Sequence, residues 1–189
     1  MQPLDVDNVN SYAYAEGLIP KNICNEIVAY GKNLNKEIAS TSDKNINNLV
    51  RKGQVAWIEP VNEFTKEIYS NLTTVVEELN NRYFNFNLYG FQGDIQFTEY
   101  IKDGDFYTKH LDKMFERPIR KLSIVVQLSD PNEYKGSELL LHLGSAPDKM
   151  PNTQGTVIAF PSYVLHEVTP LLSGERYSLV AWITGESFK

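Results

Sequence analysis

Three ionisable side chains occur at two places in the second half of the sequence. His110 and Asp112 are separated by one residue in the stretch FTEYIKDGDFYTKHLDK, and His166 follows in FPSYVLHEVTPLLSGERYSLVAW. Two imidazoles and one carboxylate are the ligand set that binds non-haem Fe(II) on one side and leaves its other coordination positions open. Open positions suit O2 activation, because both oxygen and an organic reductant must reach the metal. The three residues are therefore a candidate iron site.

A candidate anion site lies beyond the second histidine. Arg176 follows His166 along the chain, and Ser178 lies two positions further on. On a strand, these two side chains point to the same face. Because a guanidinium offers a rigid fork of donors that fits a carboxylate, the pair could bind the far carboxylate of an organic acid that chelates the metal.

Each of these residues also has a plain structural explanation. His110 and Asp112 could form a surface ion pair, and His166 could be a hydrogen-bonded histidine of the core. Arg176 could be a solvated turn residue that pairs with Glu175 or Glu167. Taken one at a time, the residues leave these alternatives open.

The elements that must position these residues begin with two predicted helices. Apolar residues recur at helical spacing from Pro20 to Ile38 and again from Phe64 to Leu79. Pro20 suits the first turn of the earlier helix. Between the helices, the polar residues 40–48 predict a loop, and residues 49–58 predict a strand. The first half of the chain is therefore expected to be helical and mixed.

The second half of the chain is mostly predicted strand. From about residue 82 the apolar residues alternate, beginning with Phe84, Phe86 and Leu88. Further strands are predicted at residues 121–129, 137–143, 155–160, 163–168 and 176–184, with turns at residues 130–132, 147–154 and 173–174. Two helices followed by many short strands predict an α+β fold whose strand part is a jelly roll or a small barrel.

Composition excludes several classes of partner. The 189 residues suit one domain, and acidic residues outnumber basic ones by 24 to 18 without any basic stripe, so nucleic acid is not an expected partner. There is no run of about 18 apolar residues and no basic start followed by an apolar stretch, so we expect a cytoplasmic protein that does not enter a membrane. The single cysteine, Cys24, cannot form an internal disulfide and is expected to be a small buried residue.

The order His-x-Asp, a distant His, and then Arg-x-Ser on successive β-segments resembles the Fe(II)- and 2-oxoglutarate-dependent dioxygenases, and more closely their prolyl 4-hydroxylase branch. The flanking stretches LSDPNEYKGSELLL and GTVIAFPSYVLHEV extend this likeness over most of the chain. The resemblance implies a double-stranded β-helix (jelly-roll) core with the N-terminal helices packed on one sheet. It also implies a single dioxygenase domain over residues 1–189, with a helical and mixed half at about 1–93 and the jelly-roll core at about 94–189.

The resemblance also implies a role for each candidate residue. His110, Asp112 and His166 would be the catalytic residues that bind Fe(II). Arg176 would form a salt bridge to the C5 carboxylate of 2-oxoglutarate, and Ser178 would assist it. Fe(II), 2-oxoglutarate and O2 are thus the expected cofactors and cosubstrates, with ascorbate as a reductant.

Further positions match the family's cosubstrate and substrate contacts. Tyr100 matches a tyrosine that contacts the cosubstrate, although by itself it is equally well a core aromatic. Arg51 and Trp57, in VRKGQVAWIEP, have the spacing of an arginine and a tryptophan that hold a proline-bearing peptide in collagen-type members, although alone they are a surface arginine beside a partly buried tryptophan. Two positions depart from the branch: Arg176 stands where it often has lysine, and Gln127 where some members have a second tyrosine.

The implied activity is hydroxylation of a prolyl residue in a peptide or protein, with release of succinate and CO2. Two alternatives stay open at this point. One keeps the cofactors but gives the enzyme a free amino acid or another small molecule, and the other is a non-catalytic jelly-roll module that binds a metal. The remaining histidine, His142 in LLLHLGS, has no place in the family pattern and is expected to have a packing or surface role.

Overall fold

The structure is a computed structural model and describes residues 9–39, 49–112 and 119–187. Within these residues the helices are α1 (Lys21–Lys32) and α2 (Glu63–Leu79), and a π-helical turn at Asn80–Phe84 follows α2. The strands, in chain order, are β1 (Ala13–Ala15), β2 (Glu37–Ile38), β3 (Arg51–Lys52), β4 (Gln54–Ile58), β5 (Leu88–Phe91), β6 (Ile95–Tyr100), β7 (Phe106–His110), β8 (Arg120–Gln127), β9 (Tyr134–Gly136), β10 (Leu139–Leu141), β11 (Asp148–Lys149), β12 (Val157–Pro161), β13 (His166–Val168), β14 (Leu171–Gly174) and β15 (Arg176–Gly185). In this described part, neither helix has the length and apolar character needed to cross a lipid bilayer.

The strands form two large antiparallel sheets. The major sheet has the order β1-β12-β8-β15-β6-β4-β2, with β5 also paired to β15, and the minor sheet has the order β11-β10-β13-β7-β3. A small third sheet pairs β14 with β9. Strands that are neighbours in a sheet are often far apart in the sequence, as they are in a jelly roll. The predicted double-stranded β-helix is therefore confirmed.

Side chains that alternate in direction along the strands give the major sheet one face in the hydrophobic core and one face that lines a cavity. On β8, Leu122, Ile124 and Val126 belong to the hydrophobic core shared with α1 and α2. The intervening Ser123 and Val125 line a cavity on the opposite face. Because successive strand side chains point to opposite faces, the helices cover one face of the sheet and leave the other to the cavity.

A second hydrophobic core lies between the major and minor sheets. It contains Ile158 and Phe160 from β12 together with Leu139 and Leu141 from β10. Burial of each such side chain stabilises the fold by about 1.5–3 kcal/mol relative to leaving it in water. This core holds the two sheets together behind the cavity.

The first helix is shorter than the sequence predicts. It begins at Lys21 as expected, but it ends at Lys32, and the side chain of Asn33 donates a hydrogen bond back to the Ala29 carbonyl at 2.8 Å. The apolar Ile38, which continued the helical spacing, lies in β2 and pairs with Gln54 of β4. The prediction was wrong there because pairing with a strand from a later segment overrides local periodicity.

The second helix agrees with its prediction. Asn62 and Thr65 form a reciprocal capping box at its start, in which the Asn62 side chain accepts a hydrogen bond from the Thr65 backbone amide at 2.9 Å. The alternation predicted from Phe84 was wrong, because Phe84 closes the π-helical turn. The Asn80 side chain pairs with both backbone groups of Phe86, at 2.9 and 3.0 Å, and so delays the next strand.

Residues 49–58 form two strands in different sheets rather than the one strand predicted. β3 pairs with β7 in the minor sheet, whereas β4 pairs with β6 in the major sheet. Gly53 lies between them with a φ of +143°, and a Cβ there would lie 2.9 Å from the Glu99 backbone oxygen. The pattern of apolar residues does not report which sheet a strand joins. The loop predicted over residues 40–48 lies outside the described residues.

The strands predicted in the second half are largely present. Those at residues 121–129, 155–160 and 176–184 correspond to β8, β12 and β15. The strands at residues 137–143 and 163–168 are shorter than predicted and correspond to β10 and β13. The long central strands are therefore predicted better than the short ones.

Two turn predictions were partly wrong. The segments at residues 147–154 and 173–174 contain β11 and part of β14, which pair with β10 and β9 respectively. Gly174, which signalled a turn, is the last residue of β14 and has a φ of +81°. β11 folds back on the nearby β10, whereas β14 pairs with the more distant β9, and local turn signals report neither pairing.

Candidate active site

The three candidate metal ligands meet on adjacent strands of the minor sheet. His110 is the last residue of β7 and pairs in register with His166, the first residue of β13. Asp112 follows β7 directly, and its Oδ2 lies 3.8 Å from His166 Nε2. One ligand atom from each residue lies within 4.8 Å of the others, so the cluster could hold one metal ion. The side chains of His166 and Asp112 are buried.

Both imidazoles are held in the tautomer that a metal requires. His110 Nδ1 lies 2.7 Å from the Thr108 carbonyl oxygen, and His166 Nδ1 lies 2.8 Å from the Val164 carbonyl oxygen. A carbonyl only accepts hydrogen bonds, so each Nδ1 carries the proton and each Nε2 keeps its lone pair. Burial, followed by the neighbouring His166, lowers the pKa of His110 to about 3, so this ring is neutral at pH 7.

Aromatic rings fix the orientation of the two imidazoles. The Tyr107 ring stacks on His110 with 3.5 Å between the ring centres, and Phe160 meets His166 edge-on at 4.8 Å. The two imidazole centres are 4.1 Å apart. Packing on one side and a backbone hydrogen bond on the other leave each ring little freedom to turn.

The Asp112 carboxylate is held by residues of β8 and of the turn after β12. The Ser123 hydroxyl donates a short hydrogen bond to Asp112 Oδ2, and its oxygen lies 3.0 Å from the Ser162 hydroxyl. Arg120 Nη1 lies 3.8 Å from the other carboxylate oxygen, Oδ1. The carboxylate therefore has partners on both oxygens and a defined direction into the cavity.

Arg176 is a buried cation whose hydrogen-bonding capacity is only partly used. It is 1% exposed, and its Nη2 donates to Gln127 Oε1 at 2.8 Å. Its Nε and Nη1 have no hydrogen-bond partner among the described residues. Across residues 9–39, 49–112 and 119–187, no carboxylate lies within 4.0 Å of this guanidinium. The neighbouring Glu175 pairs with Lys32. Because a buried charge without a counterion is costly, the arrangement suits a bound anion.

The three candidate metal ligands and Arg176 line one cavity with a volume of about 470 Å³. The remaining predicted residues line the same cavity. Ser178 and Tyr100 lie on the cavity face of the major sheet and are 2% and 3% exposed, respectively. Tyr100 also approaches Arg176, with 5.5 Å between its ring centre and the guanidinium carbon.

Arg51 and Trp57 reach the cavity from opposite sheets. Arg51, on β3, places its guanidinium carbon 4.5 Å from the centre of the Tyr107 ring. Trp57, on β4, is 41% exposed and donates from Nε1 to Glu37 Oε1 at 2.7 Å. Every site residue predicted from the sequence therefore lines one cavity.

Several residues of the site were not predicted from the sequence. Arg120 and Ser123 contact Asp112, and Tyr107 packs on His110. Gln127, which the sequence marked only as a departure from the family pattern, contacts Arg176. A signal was present for two of them, because Ser123 and Gln127 are polar, like Lys121, in one alternating set of RKLSIVVQ. No local signal marks Arg120 or Tyr107, whose contacts depend on the folded loop and strand.

His142 and Cys24 lie elsewhere, as expected. His142 Nε2 lies 2.8 Å from Glu167 Oε1, and neither residue lines the cavity. Cys24 is a fully buried residue of α1, and burial raises the pKa of its thiol to about 11. Neither side chain is available to the candidate site.

The family model described as the 2OG-Fe(II) oxygenase superfamily matches residues 95–184. The match spans 90 of the 189 residues, slightly less than half of the chain, and shows a likeness to that superfamily over this stretch. The match covers β6 to β15. It therefore contains the three candidate metal ligands and Arg176 but not Arg51 or Trp57. A PKHD-type hydroxylase from Synechococcus sp. (strain CC9605) is 42% identical over 84 residues, which are 42% of this chain and 37% of that protein. The aligned part of this chain thus spans about two-fifths of the length of that curated relative.

Solved structures of prolyl hydroxylases share the fold of this chain. A Pseudomonas putida prolyl-4-hydroxylase superposes with a TM-score of 0.74 and 22% identity, covering 94% of both chains. A Trichoplax adhaerens prolyl hydroxylase, solved in complex with a hypoxia inducible factor oxygen degradation domain peptide fragment, has a TM-score of 0.79 and 19% identity. It covers 94% of this chain and 85% of its own. The resemblance to the prolyl 4-hydroxylase branch is therefore confirmed at the level of the fold.

The side chains present fit the cofactors of this superfamily. Two imidazole Nε2 atoms with free lone pairs and one carboxylate form the donor set that suits Fe(II). Arg176 is a cation with hydrogen-bond donors left without a partner, at Nε and Nη1, which suits an anionic group such as a carboxylate of 2-oxoglutarate. Fe(II), 2-oxoglutarate and O2 are accordingly the cofactor and cosubstrates of the family that this site matches.

Proposed function

We propose that this protein is an Fe(II)- and 2-oxoglutarate-dependent dioxygenase that hydroxylates a prolyl residue in a peptide or protein and releases succinate and CO2. The observation that carries the proposal is the cluster of His110, Asp112 and His166 facing the same cavity as the uncompensated cation of Arg176. A structural metal site would not need a buried cation without a counterion beside it. A non-catalytic module is therefore the weaker explanation.

His110 and His166 would hold Fe(II) through Nε2, and Asp112 would hold it through a carboxylate oxygen. When bound, Fe(II) and 2-oxoglutarate supply an O2-dependent oxidation that is coupled to decarboxylation of the 2-oxo acid. Thr108 and Val164 keep both Nδ1 atoms protonated, so each Nε2 stays directed into the cavity. A substrate that covers the open side of the cavity would leave the reacting groups among buried walls and so limit the access of water.

Arg176 would anchor 2-oxoglutarate through its distal carboxylate. The guanidinium is buried, so an ion pair with this carboxylate would be only weakly screened by solvent. Ser178 lies two positions along the same strand and face, where its hydroxyl would add a hydrogen bond. Tyr100 packs against the guanidinium from β6 and would complete the wall of this subsite.

A peptide substrate is supported by the outer part of the cavity. Trp57 and Leu111 line it and are 41% and 48% exposed, so the cavity reaches the protein surface. Trp57 would pack on a proline ring, and Arg51 would donate hydrogen bonds to the peptide. The prolyl hydroxylases that share this fold, one of them solved with a peptide fragment, support the same substrate class.

The proposal is tested by adding Fe(II) and 2-oxoglutarate without oxygen, then admitting O2 with ascorbate and measuring succinate. We expect succinate formation to rise with a proline-rich peptide, which gains one oxygen atom by mass spectrometry. The matched control is the same peptide with each proline replaced by alanine.

The outcomes of this assay separate the competing functions. Oxidation of a free amino acid or metabolite instead of the peptide would show a small-molecule substrate. Metal binding without succinate under any condition would contradict the enzyme proposal and favour a non-catalytic module.

A further inference from the structure

We propose that Gln127 is a positioning residue that orients Arg176 toward the distal carboxylate of the 2-oxo acid. This inference rests on the function proposed above and names a residue that departs from the family pattern. Gln127 does not line the cavity, so it would act through Arg176 rather than by touching the cosubstrate.

The backbone register brings the two side chains together. Gln127 is the last residue of β8 and pairs in register with Ser178 of β15, which places Arg176 diagonally across from it on the same face. Gln127 Oε1 accepts a hydrogen bond from Arg176 Nη2 at 2.8 Å, and the two residues are 2% and 1% exposed. Solvent therefore does not compete for this hydrogen bond.

The Gln127 amide can face Arg176 in only one way. A guanidinium carries donors and no acceptor, so the amide must present its oxygen to Arg176. Its nitrogen then points to the Pro151 carbonyl oxygen, 3.4 Å away. The backbone before β12 thus helps to hold the amide, and the amide holds one corner of the guanidinium.

A second contact confines the guanidinium from the other side. Arg176 pairs in register with Tyr100 of β6, and the ring centre lies 5.5 Å from the guanidinium carbon. With Nη2 occupied by Gln127, the nitrogens without a partner among the described residues are Nε and Nη1. Gln127 therefore decides which donors remain for an incoming carboxylate.

The absence of charge on Gln127 matters for the proposed role as much as the shape of its side chain does. A glutamate of the same size would also accept from Nη2, but its negative charge would compensate Arg176 and compete with the cosubstrate carboxylate. A leucine would leave Nη2 buried without an acceptor and free the guanidinium to turn. Glutamine is the side chain of this size that orients the cation without neutralising it.

The test compares wild-type protein with Gln127→Glu and Gln127→Leu. Binding of 2-oxoglutarate is measured by calorimetry without O2, with Mn(II) in the metal site, and kcat and KM are measured with Fe(II). We expect both substitutions to weaken 2-oxoglutarate binding by about tenfold or more, with Gln127→Glu the weaker binder. We expect the affinity for Mn(II) and the kcat at saturating 2-oxoglutarate to stay within about twofold of wild type.

The matched control is Gln154→Leu. Gln154 is also buried, but it donates to the Leu128 carbonyl at 2.8 Å and to Asn25 at 2.9 Å, away from Arg176. This variant should bind 2-oxoglutarate like wild type even if its folding stability falls.

Two results would overturn the role of Gln127, and a third would overturn the function on which it rests. Unchanged 2-oxoglutarate affinity in both Gln127 variants would show that Arg176 needs no orienting partner. Parallel loss of Mn(II) affinity or kcat would show general damage to the cavity. Failure of the wild-type protein to bind 2-oxoglutarate at all would overturn the proposed function itself, which distinguishes that failure from failure of the role of Gln127.

Discussion

The two imidazoles of the site are prepared for metal binding by the backbone of their own segments. His110 Nδ1 bonds the carbonyl of Thr108, and His166 Nδ1 bonds the carbonyl of Val164, each two residues earlier. The tautomer of each ring is therefore set locally and does not depend on a carboxylate elsewhere in the fold. Asp112 differs, because its direction depends on Ser123 from a separate strand.

At the same scale, Asp112→Ala should abolish both metal binding and turnover, since it removes one of three proposed ligands. Metal content after incubation with Fe(II) and succinate formation are the measurements. Asp148→Ala, at an exposed position on β11, is the matched control and should retain both. Full activity in Asp112→Ala would contradict the assignment of the ligand set.

Arg176→Ala should mainly raise the 2-oxoglutarate concentration that gives half-maximal rate. Loss of a charged anchor worth about 3 kcal/mol corresponds to a rise on the order of a hundredfold. Initial rates across a 2-oxoglutarate titration measure this change. Arg82→Ala, which removes an exposed pair with Glu78 at 3.7 Å, should leave the titration unaltered. An unchanged requirement in Arg176→Ala would show that another residue anchors the cosubstrate.

Among the secondary-structure elements, β8 and β15 contribute side chains both to the core, on one face of the major sheet, and to the candidate site, on the other. On β15, Leu179 and Ala181 pack under the helices, whereas Arg176, Ser178 and Val180 face the cavity. The same strands that hold the core therefore also hold the proposed anion subsite in a fixed register. A site built on such paired strands keeps its geometry better than one built on loops.

The change of sheet at Gly53 positions the two proposed substrate contacts. Gly53→Ala should lower the free energy of unfolding by about 1–3 kcal/mol, because a side chain is strained at this φ and would press on the Glu99 backbone oxygen. Urea unfolding followed by circular dichroism measures the effect.

Gly144→Ala provides the matched comparison for this prediction. A Cβ added at Gly144 meets no atom within 4 Å, and its φ lies outside the strained range. Its free energy of unfolding should stay close to that of wild type. Equal stability of both variants would contradict the strain assigned to Gly53.

Across the whole molecule, the helices, the major sheet and the minor sheet form successive layers, with charge buried on both sides of the major sheet. Arg176 lies on the cavity side, whereas Glu99 of β6 lies on the other side, with Lys36 Nζ 3.6 Å from its carboxylate. Burial raises the pKa of Glu99 despite the opposing effect of Lys36. A protonated Glu99 is thus favoured more in the folded than in the unfolded chain.

This raised pKa gives the stability of the molecule a defined pH dependence. The contribution of Glu99 is present in full below its unfolded pKa of about 4.3 and is lost as pH rises through the higher folded value. Glu99→Gln removes this titration, so the variant should gain stability relative to wild type as pH rises from about 4 towards 7. Urea unfolding at a series of pH values measures the difference.

Glu77→Gln, on the exposed face of α2, is the control for the pH experiment and should show no such gain. The same pH trend in both variants would mean that general charge, rather than burial of Glu99, is responsible. A growing loss of stability in Glu99→Gln would mean that the pairing with Lys36 outweighs burial.

Local patterns in the sequence were enough to predict the residue types of the site, their order along the chain and the presence of α2 and the long strands. The spacing and alternation of apolar residues depend only on neighbouring residues, so they can be recognised in the sequence without knowledge of the fold. The order of His110, Asp112, His166 and Arg176 carried the resemblance that implied the jelly roll. Each of these residues lines the cavity of the folded chain.

Only the tertiary structure decided how distant segments pair. In the folded chain, β3 and β4 belong to different sheets, and Ile38 lies in a strand rather than in the predicted helix. β14 pairs with β9. The tertiary structure also brought Gln127 to Arg176 and left that cation without a carboxylate partner among the described residues. The physical reason is that strand pairing and charge compensation depend on which distant residues become neighbours, and a local sequence pattern does not contain this information.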